Sequence, residues 1–109
     1  MVRLTTPIHS FSFETDPSLY ERLLITYKQG RKIVLEKEKD DLVIEERADP
    51  QVERIWIASF KLTQEETKAF NVNTPVQIQV RALMADGTAL ASEMYTIAIA
   101  DVLNDEVLI

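Results

Sequence analysis

The residues with the clearest potential for nucleophilic chemistry lie close together near the beginning of the chain. His9 is the only histidine, and Ser10 and Ser12 follow it closely. In a catalytic triad a histidine takes the proton of a serine hydroxyl while an acidic group orients the imidazole. The segment alternates like a β-strand, so His9 shares a face with Phe11 and Phe13 while both serines point the other way. We therefore expect His9 to be an ordinary packing residue.

Acidic side chains are the candidates for a metal site. They are Asp40 with Asp41, and Asp101 with Asp105 and Glu106. A dedicated calcium loop places its oxygen ligands at fixed spacing around a glycine, and zinc prefers several cysteine or histidine ligands. Neither pattern occurs, and adjacent exposed acids are usually solvated surface. We expect no functional metal and no cofactor.

The remaining reactive groups form no recognisable catalytic set. The chain has no cysteine, which excludes a thiolate nucleophile, a disulfide and a cysteine zinc site. Its two glycines leave no phosphate-binding loop. Glycoside hydrolysis needs two opposed carboxylates, and spacing identifies no such pair among the 18 acidic residues. The sequence predicts a noncatalytic protein, and an unrecognised carboxylate site is the least favoured hypothesis.

Length and charge limit the other classes of protein. The chain has 109 residues, about the size of one domain, so residues 1–109 are expected to form a single unit. Apolar residues make up 46% of the chain and charged residues 28%, as in an ordinary globular protein. The formal charge of −6 repels a polyanion, so nucleic acid is not an expected partner.

The sequence also argues against membrane insertion. No apolar run approaches the ~18–20 residues needed to cross a bilayer, and the first residues lack the apolar core of a signal peptide. We expect the chain to be made in the cytoplasm and to stay there unless an assembly carries it elsewhere.

Short strands are the elements that would position these residues. Between sparse glycines and prolines, β-branched and aromatic residues alternate or cluster in runs of strand length. The predicted strands are 8–14, 20–28, 32–38, 42–47, 53–60, 76–84 and 88–100. Thr63 and Glu66 have the spacing of a capping box and predict a short helical turn over residues 63–70, pinned to the core by Leu62 and Phe70.

The last hairpin has the clearest pattern. Residues 76–84 alternate apolar and polar side chains, as in a sheet that is wet on one face. Gly87 is expected to supply the positive φ of the following turn. In the return strand one face is predicted from the even-numbered positions up to Met94, but from Tyr95 onwards the apolar residues occupy the odd-numbered positions. This change of parity predicts a β-bulge over residues 94–96.

The order of these elements predicts the fold class. About seven strands with short turns and one helical turn are typical of an all-β fold, an immunoglobulin-like antiparallel β-sandwich. A partly open β-barrel is the alternative. Trp56 is expected to pack in the core or at its edge rather than to form a ligand platform.

Four segments together resemble a known family. They are Thr-Thr-Pro-Ile-His (5–9), Leu-Thr-Gln-Glu-Glu-Thr (62–67), Val-Gln-Ile-Gln-Val-Arg (76–81) and Asp-Gly-Thr-Ala-Leu-Ala-Ser (86–92). Over nearly its full length the chain resembles small, uncharacterised proteins encoded by prophages and phage-like gene clusters of Gram-positive bacteria. The helical turn, the Gln-rich strand and the Asp-Gly hairpin are also similar to the amino-terminal immunoglobulin-like domain of phage baseplate upper proteins.

The resemblance implies a β-sandwich associated with a virion or phage tail, and it carries no catalytic residues. We therefore expect a noncatalytic structural or adaptor module that is incorporated into a virion. Its expected partners are phage structural proteins or further copies of itself. The alternative is a carbohydrate- or peptide-binding module, because the loops and sheet faces of β-sandwiches commonly host ligands.

The apolar ending of the chain is the candidate interaction site. Val107, Leu108 and Ile109 are consecutive, and burial of a large aliphatic side chain contributes roughly 1.5–3 kcal/mol. We expect them to be buried, and two locations are open. The segment either pairs with an edge of the domain's own sheet or adds a strand to a neighbouring subunit.

Overall fold

Strands dominate the structure, as the alternating sequence predicts. The computed structural model describes residues 1–48, 54–104 and 106–109. The strands are β1 (Ile8–Phe13), β2 (Arg22–Gln29), β3 (Lys32–Glu38), β4 (Val43–Arg47), β5 (Ile55–Lys61), β6 (Val76–Leu83), β7 (Ala89–Ala91) and β8 (Tyr95–Ile97). One α-helix, α1 (Gln64–Lys68), and the 3₁₀ turns Pro17–Leu19 and Lys39–Asp41 complete these elements. The expected turn at Asp49 and Pro50, and the expected strand start at Glu53, lie outside the described residues.

The strands form two antiparallel sheets that pack face to face. One sheet has three strands in the order β1-β5-β4, and the other has five, β3-β2-β6-β7 with β8 also paired to β6. The all-β antiparallel sandwich predicted from the sequence is confirmed, and the described residues form eight strands rather than about seven. In the described part of the chain no strand of one sheet pairs with a strand of the other, so the structure is a sandwich and not the alternative, a partly open β-barrel.

The inner faces of both sheets supply the core. β2 contributes Leu23, Ile25 and Tyr27, which are fully buried, because alternate residues of a strand share one face. The adjacent strand β6 adds Val76, Ile78 and Val80 to the same inner face, with the alternation that the sequence predicts. The three-stranded sheet contributes residues such as Phe60.

The short helix is held in place from both ends, as predicted. The Thr63 hydroxyl accepts a hydrogen bond from the Glu66 N–H at 3.1 Å, and the Glu66 carboxylate accepts one from the Thr63 N–H at 3.0 Å. Leu62 and Phe70, which flank the helix, are buried in the core. The capping box starts the helix, and burial of these two side chains stabilises a length that would not be helical alone.

The return strand of the last hairpin differs from the prediction. The structure has two short strands, β7 and β8, instead of one strand over residues 88–100. Between them residues 92–94 lie opposite only residues 79 and 80 of β6. The one-residue shift that the parity change predicts is present, but it lies before the expected 94–96. It places Leu90 and Tyr95 on the same inner side, opposite Ala82 and Ile78 respectively.

Candidate functional site

A slot of about 510 Å³ opens at one side of the sandwich, where the smaller sheet does not cover the larger one. Phe11 and Phe13 of β1 form one wall, and Leu90 of β7 lies on the other side. Val80 and Ala82 of β6 also line it. The slot therefore separates an edge of the three-stranded sheet from an edge of the five-stranded sheet.

The amino-terminal segment contacts the residues that follow β8 and does not pair with β1. Val2 forms a parallel bridge with Ala100, and Arg3 N–H donates a hydrogen bond to the Ala100 carbonyl at 2.9 Å. Leu4 then adopts a φ of 60°, in the left-handed region that few non-glycine residues enter. Among the described residues, β5 is the only strand paired with β1, so the second edge of β1 stays open.

The open edge of β1 presents unpaired main-chain groups. The Leu62 N–H donates to the Pro7 carbonyl at 2.9 Å, which makes this a hydrogen-bonded pair of the β1–β5 ladder. Such pairs alternate along an antiparallel ladder, so the N–H and C=O groups of Ile8, Ser10 and Ser12 point away from β5. The serines thus line the slot through the edge of β1 while their side chains lie on the exposed face.

A second open edge lies across the slot on β7. The Ser92 N–H donates to the Val80 carbonyl at 2.8 Å, and the Ser92 hydroxyl accepts from the Val80 N–H at 3.0 Å. The hydroxyl replaces a main-chain acceptor at this point, and the ladder is interrupted there. By the same alternation, the main-chain groups of Ala89 and Ala91 point away from β6.

The slot is uncharged, and its lining is more apolar than polar. None of the described residues that line it carries a charge. Leu90 and Tyr95 expose about half of their surface there, 49% and 51%. Unpaired strand edges beside apolar side chains are the features by which a sheet binds an extended polypeptide, main-chain hydrogen bonds giving affinity and side-chain pockets giving specificity.

His9 lies on the inner face, away from the serine hydroxyls, as expected. Its Nδ1 shares a hydrogen bond with the Tyr27 hydroxyl, and the two rings stack with centroids 5.6 Å apart. Burial, together with the positive amino terminus, lowers the pKa of His9. Burial raises the pKa of Tyr27. The pleat of β1 therefore holds a neutral imidazole among aromatic side chains and separates it from Ser10 and Ser12.

Two of the carboxylates considered for a metal site, Asp41 and Asp101, have separate structural contacts. Asp41 accepts a hydrogen bond from the Glu38 N–H at 2.9 Å, and Asp101 pairs with Arg3 at 2.6 Å. Hydrogen bonds from the Val102 N–H and from Arg3 lower the pKa of Asp101. Asp105 lies outside the described residues. Within the described ranges, no three metal-binding side chains come together.

The candidate interaction residues at the end of the chain lie across α1. The Gln64 side-chain amide donates to the Leu108 carbonyl at 2.7 Å and accepts from the Leu108 N–H at 2.8 Å. Val107 is partly buried, whereas Leu108 is 74% exposed and Ile109 fully exposed. The described residues 106–109 form no strand, so they do not pair with an edge of their own sheet.

Two aromatic residues bear on the alternative of a ligand platform. Trp56 lies on the inner face of β5 and is half-buried, as expected for a packing residue. Tyr95 is exposed beside the slot. The sequence did not identify the slot, although the parity change before Tyr95 was a signal that the edge strand is interrupted there.

Comparison with known proteins adds no relative. No protein-family model matches the chain, and no curated protein sequence matches it. Among the described residues, no helix has the length and apolar character needed to span a membrane.

Proposed function

We propose that this chain is a noncatalytic structural or adaptor module that joins an assembly by accepting an extended segment of another protein in its open slot. The observation that carries the proposal is the free edge of β1 beside an uncharged, apolar cavity. Added strands pair with such an edge through N–H and C=O groups that are otherwise left to water. The exposed halves of Leu90 and Tyr95 would be covered by the same segment.

We further propose that the assembly is a phage tail or baseplate. The support is the resemblance of residues 62–67, 76–81 and 86–92 to prophage-encoded proteins and to the immunoglobulin-like domain of baseplate upper proteins. In this proposal the chain is synthesised in the cytoplasm and then incorporated into the virion through protein contacts.

A carbohydrate-binding module is the second candidate, and Tyr95 is the observation that favours it. An exposed aromatic ring beside serine residues offers both a stacking surface and hydrogen-bonding groups. A sugar would depend on the Tyr95 ring, whereas a polypeptide strand would depend on the edge of β1. Tyr95→Ala and a change at the β1 edge therefore distinguish the two ligands.

The experiment uses Ser12→Pro and its matched control Ser12→Ala. The Ser12 N–H points away from β5, so proline removes a donor of the free edge without removing a β1–β5 hydrogen bond. Alanine removes the hydroxyl and keeps the N–H. Thermal unfolding of both variants checks that the sandwich is retained.

Tagged wild-type and variant chains would be purified from an induced lysogen that carries the gene, and the recovered proteins identified by mass spectrometry. We expect virion structural proteins with the wild type and with Ser12→Ala, and their loss with Ser12→Pro. Equal recovery by all three chains, or recovery of metabolic enzymes without virion proteins, would contradict the proposal.

A further inference from the structure

We propose that the segment accepted by the slot is the apolar end of a second copy of this chain, residues 106–109. This inference rests on the proposed function, because it uses the same slot and names its occupant. In this proposal the edge of β1 is the acceptor of each copy, and the segment bonded to Gln64 is its donor.

The donor already has one side paired as in a sheet. Both main-chain groups of Leu108 are bonded to the amide of Gln64, at 2.7 and 2.8 Å. The N–H and C=O of one residue point to the same side in extended chain, and those of its neighbours point to the opposite side. Gln64 thus takes the place of a neighbouring strand at Leu108, and in an extended donor segment the groups of Val107 and Ile109 would be directed away from Gln64.

The donor and the acceptor have complementary main-chain patterns. The free groups of β1 belong to Ser10 and Ser12, two residues apart, and those of the donor belong to Val107 and Ile109, also two residues apart. When these pairs form, the residue between them faces the other way. The Leu108 side chain then enters the slot.

Burial and charge favour this occupant. The Leu108 side chain is 74% exposed within its own copy, and the slot exposes Leu90 on the acceptor. Phe11 of the acceptor lies between its two edge serines and faces the same slot, so it would contact the incoming leucine. The lining carries no charge among the described residues, so it suits the Leu108 side chain and not the carboxylate of Glu106, the first residue of the donor.

A single copy does not bring its own donor and slot together in the structure. The segment is bonded to Gln64, beyond the end of β5 where Lys61 pairs with Ile8. The slot lies further along β1, from Ser10 to Phe13. Insertion within one copy requires release of the Gln64 contacts, whereas insertion into a second copy preserves them.

The contact is heterologous, because a donor patch meets a different acceptor patch. Such contacts produce rings when the rotation closes and open chains when it does not. We therefore expect concentration-dependent association into species larger than a dimer.

Sedimentation velocity over a range of concentrations tests the inference with three variants. Leu108→Ser removes the donor side chain and retains the main chain bonded to Gln64. Ser12→Pro removes a donor at the acceptor edge. Leu103→Ser is the matched control, since Leu103 is another exposed leucine near the carboxyl-terminal end but lies outside the proposed donor.

We expect the wild type and Leu103→Ser to associate equally, and Leu108→Ser and Ser12→Pro each to associate about tenfold more weakly or not at all. An equimolar mixture of the two defective variants should form dimers and nothing larger. In that mixture the intact segment of the Ser12→Pro copy enters the intact slot of the Leu108→Ser copy. Deletion of residues 107–109 from the Ser12→Pro chain should leave that mixture monomeric, because neither chain then carries an intact donor.

Several outcomes would overturn the inference. They are a wild type that stays monomeric at about 1 mM, association that survives Leu108→Ser, equal loss with Leu103→Ser, and a mixture of defective variants that stays monomeric. These outcomes would not overturn the proposed function, which has its own experiment. If recovery of a different virion protein depended on Ser12, the slot would still be the binding site and only the proposed occupant would be wrong. Loss of that recovery together with monomeric wild type would remove both.

Discussion

The buried side-chain amide of Gln29 binds both main-chain polar groups of Asn71. Gln29 Oε1 accepts from the Asn71 N–H at 2.9 Å, and Nε2 donates to the Asn71 carbonyl at 2.8 Å. The same Nε2 donates to the Thr74 carbonyl at 2.8 Å. The amide therefore fastens the loop between α1 and β6 to the end of β2, which keeps Phe70 and Val76 in the core on either side of that loop.

Replacement of Gln29 by leucine should destabilise the fold. Leucine has a similar size but leaves the groups of Asn71 and Thr74 without their partner, at a cost of about 1–3 kcal/mol for an unsatisfied buried group. Urea unfolding measures the difference. Gln77→Leu is the control, because Gln77 lies opposite Lys28 on the adjacent strand and is exposed. Equal stability of the two variants would show that the amide contacts contribute nothing.

Gly87→Val should weaken the last hairpin through backbone conformation alone. Gly87 has a φ of 89°, as predicted for the turn, and a Cβ there would meet no atom within 4 Å. A branched residue in this region costs roughly 1–3 kcal/mol. Asparagine enters the left-handed region more readily, so Gly87→Asn should cost less. Thermal unfolding tests this order, and an unchanged melting temperature for Gly87→Val would refute it.

Glu66 should make stability fall at acidic pH. Burial opposes its charged form, but hydrogen bonds from Lys37 and Thr63 outweigh burial and lower the pKa below the ordinary 4.5. The unfolded chain therefore binds the proton first, and stability present above about pH 4.5 is lost as the pH falls through the folded-state pKa. Glu66→Gln should flatten this decline in urea unfolding, and Glu65→Gln, exposed in the same helix, should not. Identical curves for both variants would contradict the assignment.

His9 should also make stability fall as the pH is lowered, in a pH range above that of Glu66. Its lowered pKa means that, just below pH 6.5, the unfolded chain takes up a proton that the folded chain excludes. The free energy of unfolding should therefore fall as the pH drops from about 6.5 towards the folded-state pKa. His9→Gln does not titrate, so its stability should be flat over this interval although lower overall, since the stacking on Tyr27 is lost. A wild-type curve that is also flat there would show that His9 titrates equally in both states.

Local patterns account for what the sequence predicts well. Alternation identified β1 and β6, capping-box spacing identified the start of the helix at Thr63, and a turn glycine identified the hairpin at Gly87. Each of these signals operates within a few residues and is reinforced by burial of one face. The parity change near Tyr95 also reported a real shift, although the break came earlier than predicted because Ser92 interrupts the ladder.

Long-range polar contacts account for what the sequence did not predict. Lys37 has charged residues on both sides, Glu36 and Glu38, as is common on a solvated surface, yet its Nζ lies 2.7 Å from Glu66 and 5.8 Å from the centre of the Phe60 ring. Gln29 lies between the predicted strands 20–28 and 32–38, yet it is buried against a loop 42 residues away in sequence. The residue types at these positions are common on surfaces, so nothing in their own segments indicates their partners.

By itself the sequence determined two antiparallel sheets with their inner faces, one capped helical turn and an apolar final segment, because hydrophobic periodicity and turn chemistry are local properties. Only the tertiary structure decided that the amino-terminal segment joins Ala100 rather than β1, that an uncharged slot remains beside the open edge of β1, and that Leu108 is held by Gln64. An edge stays open or becomes covered according to where distant segments pack. That choice depends on the total free energy of the folded chain and on no pattern within a single strand.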